Sequence, residues 1–362
     1  MAEAEQPTLA ARLTALIRQS GPLPLSRFMA DAVGHYYARR DPFGAAGDFT
    51  TAPEISQMFG ELLGLWAADT WMRLGAPDPV DLIELGPGRG TLMADMLRAI
   101  ARVPRFAKAC RVRLVEASPV LRQRQRDALK GAQFTWHDDF AQTGTGAFIL
   151  LANEFFDALP IRQFTRHGAG WHERMVDVGA AGEFVFRLAP APVPIEGWLR
   201  SAHHAAPAGS IVEICPAGWA LAAAIAARAT AAPGAALIID YGAPTSGIGD
   251  TLQALKRHRF VPPLQEPGEV DLTAHVDFAA LVAAAAAAGG RTFGPLAQGE
   301  LLRRIGIGER AARLAAQAGA QQRADIAAAL ERLTAASAMG TLFQAICIAS
   351  PGLDVVAGFD PA

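Results

Sequence analysis

A glycine bend preceded by a carboxylate is the feature of this sequence that indicates the most specific chemistry. Gly86, Gly88 and Gly90 follow an apolar stretch, residues 80–85, and precede a helical pattern. Glycines at such a turn let the backbone bend tightly and leave room for a ligand. Glu84 lies just before them, where its charge would repel a pyrophosphate and attract the ammonium and sulfonium groups of S-adenosylmethionine. The bend therefore predicts S-adenosylmethionine as cofactor, with a dinucleotide or a purely structural turn as alternatives.

Acidic residues after the next two predicted strands extend this cofactor site. Glu116 ends the second strand, where a carboxylate can accept hydrogen bonds from both ribose hydroxyls, although it could instead favour the start of the following helix. Asp139, beside Asp138, follows the third strand, where the amino group of an adenine would lie. Both aspartates could also be solvated loop carboxylates. We expect Glu116 and Asp139 to bind the cofactor.

A second polar group, after the fourth predicted strand, is the candidate for catalysis. Asn153 and Glu154 follow the strand directly, and Asp157 comes after two phenylalanines. Open α/β sheets bind ligands at the carboxyl ends of their strands. Glu154 and Asp157 could hold a guanidinium through charge-assisted hydrogen bonds, or they could belong to a capped turn. His275, in an acidic segment before a later helix, could line the same pocket or be structural.

The elements that must position these residues alternate between strand and helix from residue 80 onward. This alternation is typical of a parallel sheet with helices on both faces. The predicted strands span residues 80–85, 112–116, 134–137, 147–151, 235–240, 291–293 and 341–349. We expect a Rossmann-like α/β fold with a seven-stranded, mostly parallel sheet, whose last antiparallel hairpin is interrupted by helices within residues 297–338.

Two additions to this sheet are expected to flank the substrate cleft. Residues 1–78 predict an N-terminal helical lid, and residues 160–214 contain short β-type segments that predict an antiparallel insertion. The core would then span residues 79–350, followed by a tail at 351–362. Because the lid and the insertion would build a broad surface around the pocket, a protein is the favoured acceptor.

Composition and charge exclude several classes of function. The formal net charge of −2 lacks the basic excess that nucleic-acid binding requires. Cys110, Cys215 and Cys347 are far apart and no metal-binding spacing is present, so we predict no structural metal. The longest apolar run, residues 278–288, is too short to span a bilayer, and the acidic N-terminal residues lack the apolar segment of a signal peptide. A cytoplasmic location is therefore expected.

Taken together, these motifs resemble the MidA family, the bacterial relatives of the mitochondrial complex I assembly factor that is a protein arginine methyltransferase. The resemblance extends from about residue 20 to residue 350. It is carried by residues 47–56, 59–61, 84–91, 115–119, 153–160, 239–242 and 271–278.

The resemblance implies a class I methyltransferase that uses S-adenosyl-L-methionine. Among the residues already discussed, Gly86, Gly88, Glu116, Asn153 and Glu154 match the cofactor and active-site motifs of the family. It also implies that the segment from Asp48 to Glu54 covers the cofactor, which adds Asp48 and Thr51 to the cofactor-site candidates.

The mitochondrial relative is expected, on this resemblance, to dimethylate an arginine of a complex I subunit symmetrically. A complex I (NADH-quinone oxidoreductase) subunit is accordingly the expected partner here. A nicotinamide-dependent oxidoreductase and a non-catalytic assembly chaperone are the alternatives. The acceptor, the number and symmetry of the methyl groups and the oligomeric state do not follow from the sequence.

Overall fold

The computed structural model describes residues 7–39, 51–168 and 170–359 of the chain. The α-helices in these ranges are α1 (Leu9–Ser20), α2 (Leu25–Arg39), α3 (Ala52–Ile55), α4 (Gln57–Arg73), α5 (Thr91–Ile100), α6 (Pro104–Ala109), α7 (Pro119–Ala128), α8 (Ser201–His204), α9 (Pro216–Ala231), α10 (Phe278–Ala287), α11 (Gln298–Arg304), α12 (Ile307–Ala315), α13 (Ala320–Thr334) and α14 (Met339–Leu342). The strands are β1 (Leu23–Pro24), β2 (Val80–Leu85), β3 (Cys110–Val115), β4 (Phe134–His137), β5 (Phe148–Asn153), β6 (Arg162–His167), β7 (Gly170–Val178), β8 (Phe184–Leu188), β9 (Ile211–Ile214), β10 (Gly234–Ala243), β11 (Gln253–Lys256), β12 (Arg259–Val261), β13 (Asp271–Thr273), β14 (Val276–Asp277), β15 (Arg291–Ala297) and β16 (Phe343–Ala349).

The main sheet has the order β15-β16-β10-β5-β2-β3-β4, and the short β14 pairs with the end of β10. Strands β4, β3, β2, β5 and β10 are parallel, whereas β16 runs antiparallel to both β10 and β15. This topology confirms the predicted seven-stranded, mostly parallel sheet with an antiparallel last hairpin. All six residues of β2 are buried, as expected for a strand that is covered on both faces.

Helices cover both faces of this sheet because neighbouring residues of each strand point to opposite sides. Leu82 and Leu237 belong to one apolar cluster, together with residues of α4, α5 and α11. Ile83 and Ile238 belong to the other, together with residues of α9 and α10. Helix α4, which the sequence analysis assigned to the N-terminal lid region, thus packs in the core beside α5. The predicted domain boundaries themselves remain predictions.

A second lobe, with an apolar core of its own, lies at the carboxyl ends of the strands of the main sheet. It contains α1, α2, an antiparallel sheet of order β1-β7-β6-β9 with β8 against β7, and a three-stranded sheet of order β12-β11-β13. The predicted insertion therefore forms strands as expected, and it is extended by Leu23–Pro24 from the N-terminal region. The three-stranded sheet was not predicted, because its strands lie in a stretch rich in glycine and proline that indicated a loop. Helix and strand side chains share one apolar core in this lobe.

Every helix within the described ranges is too short or too polar to cross a lipid bilayer. In the same part of the chain, no group of three or more His, Cys, Asp or Glu side chains is arranged to hold a metal ion.

Candidate functional site

A cavity of about 650 Å³ lies at the carboxyl ends of β2, β3, β5 and β10. The sheet contributes the ends of these strands and the loops that follow them, and the second lobe contributes residues of α2, β11, β12 and β13. The cavity brings together most of the predicted site residues, namely Thr51, Glu84, Gly86, Gly88, Glu116, Asp139, Asn153, Glu154 and Asp157. Asp48 lies outside the described residues.

The glycine bend requires glycine for two different reasons. Gly86, Gly88 and Gly90 all have positive φ, at 61°, 52° and 85°, a conformation that other residues rarely adopt. A Cβ on Gly86 would also lie 2.8 Å from the ring of Phe155, so a side chain there would clash within the cavity. Gly90, by contrast, does not line the cavity; it begins α5 and packs against Gln125 of α7. Gly90 thus has a packing role of its own, and its predicted contact with the cofactor stays a prediction.

Glu84 is a buried carboxyl group with an unsatisfied oxygen. It is 3% exposed, and its Oε2 has no hydrogen-bond partner. Burial, and secondarily the charge of Glu116, raises the pKa of Glu84 to about 8. A buried, unpartnered carboxyl group destabilises a protein unless a ligand satisfies it. A cationic group in the cavity would do so, and the ammonium group of S-adenosylmethionine fits this requirement.

Glu116 is held in place at the end of β3 by two donors. Its Oε1 accepts a hydrogen bond from the backbone N–H of Ser118 at 2.8 Å, and its Oε2 accepts one from Gln125 Nε2 at 3.1 Å. Trp136 Nε1 donates to Gln125 Oε1 at 2.7 Å, which fixes the direction of that amide. Each carboxylate oxygen keeps a second acceptor site for a ribose hydroxyl. The sequence analysis missed Gln125 and Trp136, since only the fold brings them to Glu116.

The two aspartates after β4 line the same cavity and are both exposed. Asp139 caps a short 3₁₀-helix by accepting a hydrogen bond from the backbone N–H of Gln142, at 3.2 Å. Asp138 pairs with Arg122 at 2.7 Å. Their placement is compatible both with contact to a cofactor and with the solvated loop carboxylates that the sequence left as the alternative.

Glu154 and Asp157 form an acid pair in the cavity, in which Asp157 is buried and Glu154 is half-buried. Glu154 has a positive φ of 52°, an unusual value for a residue other than glycine. Its Oε1 accepts hydrogen bonds from the backbone N–H of Ala52 and from Asn153 Nδ2, both at 3.1 Å. Burial raises the pKa of Glu154 and that of Asp157 to about 7 in each case. Both groups are therefore poised to exchange protons near neutrality and to bind a cation.

Asp240 fixes the turn that carries this acid pair. It is fully buried near the end of β10, and its Oδ2 accepts hydrogen bonds from the backbone N–H groups of Phe155, Phe156 and Asp157 at 3.1, 2.8 and 3.2 Å. Burial, together with the charges of Asp157 and Glu154, raises the pKa of Asp240. The sequence analysis assigned no role to this residue. The feature of the sequence that could have indicated such a role is a carboxylate at the end of a predicted strand that is otherwise apolar.

Two tyrosines also line the cavity, Tyr37 from α2 of the second lobe and Tyr241 from β10 of the main sheet. Tyr37 of α2 donates a hydrogen bond to Asp271 Oδ1 at 3.1 Å. The hydroxyl of Tyr241 contacts Thr273 and accepts a hydrogen bond from Gln253 Nε2 at 3.0 Å. These side chains were not predicted as site residues, because they come from elements far apart in the sequence.

The short helix α3 joins the lid region to the glycine bend. Thr51 is buried and lines the cavity. Glu54 accepts a hydrogen bond from the hydroxyl of Thr91 at 2.6 Å and lies 3.8 Å from Arg89. With the bond from Ala52 to Glu154, α3 therefore contacts both the bend and the acid pair.

His275 lies apart from the acid pair. It is one of the residues around a smaller cavity of about 150 Å³, together with Glu213 and Cys215. Its ring packs edge-on against Tyr241, with ring centroids 5.2 Å apart, and it does not line the main cavity. The placement favours the structural alternative over the predicted catalytic role, because Tyr241 presents its side chain to the main cavity and His275 does not.

Comparison with known proteins identifies similar chains along most of this length. Residues 62–296 match the model of a family described as S-adenosyl-L-methionine-dependent methyltransferases. The chain is 33% identical to the mitochondrial protein arginine methyltransferase NDUFAF7 homolog of Drosophila melanogaster, over 95% of this chain and 85% of that protein. It is 35% identical to the mitochondrial protein arginine methyltransferase NDUFAF7 of Danio rerio, over 92% of this chain and 84% of that protein.

A solved structure shares the fold. It is a Burkholderia thailandensis protein described as a methyl transferase and bound to S-adenosyl-homocysteine. The TM-score is 0.84 at 30% sequence identity, over 97% of this chain and 93% of that chain.

Proposed function

This chain belongs to the family of S-adenosyl-L-methionine-dependent methyltransferases, and we propose that it methylates an arginine side chain of a protein. The relatives named above as protein arginine methyltransferases support an arginine acceptor. The observation that carries the proposal is the acid pair, Glu154 and Asp157, in the same cavity as the unsatisfied carboxyl group of Glu84. A cavity with these two separate acidic sites suits a cationic methyl donor and a cationic acceptor.

The residues of the bend and of the following strands would hold the donor. S-adenosyl-L-methionine supplies a methyl group on a positively charged sulfur. Glu84 would pair with the amino group of the donor, and Glu116 would accept hydrogen bonds from its ribose hydroxyls. Gly86 and Gly88 leave the space that the donor requires beside the backbone.

The acid pair would hold the acceptor. Because Oε1 of Glu154 is engaged by Ala52 and Asn153, Oε2 is the oxygen left for a guanidinium. A guanidinium nitrogen must lose a proton to present a lone pair, and a carboxylate with a pKa near 7 can accept that proton. Catalysis then consists mainly of aligning the nitrogen with the methyl group and neutralising charge around it.

Transfer of tritium from labelled S-adenosyl-L-methionine tests the proposal. The purified protein is incubated with lysate from cells that lack its gene, and the labelled proteins are hydrolysed to amino acids. We expect label in methylarginine, and none with Gly86→Val, whose side chain would fill the space beside Phe155. Label in another amino acid, or no label with a protein that binds S-adenosyl-homocysteine, would contradict arginine methylation. Calorimetry with S-adenosyl-homocysteine and with NADH separates this function from that of an oxidoreductase.

A subunit of complex I (NADH-quinone oxidoreductase) is the acceptor that we propose, and the cytoplasm is the proposed location. The support for this acceptor is the resemblance of the sequence motifs to the MidA family. Mass spectrometry of the subunits of this complex, from cells with and without the protein, provides the test. Arginine methylation that is the same in both cell types would contradict this choice of acceptor.

A further inference from the structure

The mouth of the main cavity carries apolar side chains that are open to solvent. Phe260 of β12 lines the cavity and is nevertheless 72% exposed. Leu342, at the end of α14, also lines the cavity and is 49% exposed. Leu255 of β11 pairs with Phe260 in the hairpin register and lines the cavity as well. Exposed aromatic side chains at the edge of a pocket are a common mark of a binding surface.

The β11–β12 hairpin has two faces of different chemistry. Leu255 and Phe260 lie on the face that borders the cavity. Lys256 and Arg259 line a separate concave surface with Val261, as the alternation of side chains along a strand requires. The cationic face is suited to water, whereas the apolar face is continuous with the cavity and includes the exposed ring of Phe260.

We propose that the apolar face of this hairpin, with Leu342, binds a large apolar side chain next to the arginine that is methylated. The inference rests on the proposed function, since it names the sequence that the acceptor must present. The arginine enters toward Glu154 and Asp157, and its neighbour in the acceptor packs on Phe260 and Leu342 at the mouth. The acceptor site is thus chosen by an apolar contact at the mouth of the cavity and a charged contact deeper within it.

Two synthetic peptides of equal length and charge test this inference. Each contains one arginine, flanked by leucines in one peptide and by glycines in the other. We expect the wild-type protein to methylate the leucine peptide with a KM about tenfold lower, which corresponds to partial burial of one apolar side chain. Phe260→Ser should abolish this preference, and Phe260→Leu should retain it. Equal KM values for the two peptides, or a preference that persists in Phe260→Ser, would overturn the inference.

A control variant and a binding measurement distinguish a failure of this inference from a failure of the proposed function. Met72→Ser removes another exposed apolar side chain, on α4 and outside the cavity, and should retain the preference. Fluorescence anisotropy of labelled peptides reports binding without methyl transfer. If neither peptide is methylated, the result contradicts the proposed function, arginine methylation. Tighter binding of the leucine peptide, lost in Phe260→Ser, still supports the docking surface, whereas equal or undetectable binding of both peptides refutes it.

Discussion

At the scale of single residues, the site is defined by carboxyl groups that still have unused hydrogen-bond acceptor sites. Glu84 has an oxygen without any hydrogen bond, while Glu116 is held by two donors and Glu154 by two others. Since burial raises the pKa of Glu84 to about 8 and that of Glu154 to about 7, the free protein holds protons there that a cationic ligand would displace. Binding of donor and acceptor should therefore be linked to pH.

Glu84→Gln should weaken the binding of S-adenosyl-L-methionine by about 2 kcal/mol, or roughly thirtyfold, because a neutral amide replaces a charged partner. With a pKa of about 8, Glu84 is largely protonated at pH 7 and must release a proton when the cation binds. Calorimetry in buffers of different ionisation enthalpy measures that release, which the variant should lack. Asp69→Asn, on the outer surface of α4, serves as the control. The same proton release in wild type and Glu84→Gln would argue against a contact between Glu84 and the cation.

Methylation by the wild-type protein should increase as the pH rises through 7. Glu154 and Asp157 have pKa values of about 7, so both are neutral at lower pH and become carboxylates above it. Glu154→Gln should lower kcat about 100-fold and flatten this increase. Initial rates across the pH range provide the measurement, with Glu300→Gln on the exposed face of α11 as control. A kcat for Glu154→Gln within a few fold of wild type would exclude a direct role of this carboxylate.

Several of these residues could be predicted because their position relative to a strand end is visible in the sequence. Glu84, Glu116 and Glu154 each lie near the end of an apolar stretch, and parallel strands bring their carboxyl ends together. The partners that orient them could not be predicted. Gln125 lies on a helix surface in the sequence pattern, and only the packing of α7 against β3 brings it to Glu116.

At the scale of elements, a side chain of β10 fixes the shape of the turn that follows β5. The carboxylate of Asp240, near the end of β10, accepts backbone hydrogen bonds from the turn after β5 and from Tyr241. These strands are neighbours in the sheet, so the turn is fixed by a strand more than eighty residues later in the chain. The unusual backbone of Glu154 lies at the start of this turn.

Asp240→Asn should loosen this turn, because an amide nitrogen cannot accept the hydrogen bonds that the carboxylate accepts on both oxygens. We expect kcat to fall about 100-fold through displacement of the acid pair. We also expect the free energy of unfolding to fall by about 2 kcal/mol. The KM for S-adenosyl-L-methionine should change less than kcat, which separates this role from general loss of structure. Asp177→Asn, on the insertion, is the matched control. A full kcat for Asp240→Asn would contradict the positioning role.

The regular elements of the main sheet follow from apolar periodicity, whereas the three-stranded sheet does not. Strands β2 and β4 have the bounds that their sequence patterns predicted. Strands β11, β12 and β13 are short and separated by turn residues, and their pairing joins segments that have no local signal of a sheet. Predicting them would require knowledge of the apolar surface of α1 and α2 that they help to cover.

At the scale of the whole molecule, the acids of the cavity make the free energy of unfolding depend on pH. Glu84, Glu154 and Asp157 bind protons more tightly when folded than when unfolded, since burial raises their pKa values. Their contribution to stability is therefore complete at low pH and is lost as the pH rises toward 8. A bound cation reverses the effect by pairing with the ionised forms.

The melting temperature of the ligand-free protein should decrease between about pH 5 and pH 8, by several degrees. Glu84→Gln should reduce this decrease, because glutamine remains neutral in both states. S-adenosyl-L-methionine should raise the melting temperature more at pH 8 than at pH 6. Differential scanning fluorimetry measures all three. A melting temperature that increases steadily with pH over this range would contradict the raised pKa values.

The second lobe draws its apolar core from three separate stretches of chain. Leu13 and Phe28 come from the first helices, Ile161 and Val176 from the insertion, and Leu272 from the short sheet. An engineer who exchanged only the insertion between two relatives would expose apolar surface on the other two stretches. To exchange acceptor preference between relatives, all three stretches would therefore have to be transplanted together. The main sheet, which is proposed to bind the donor, could be kept.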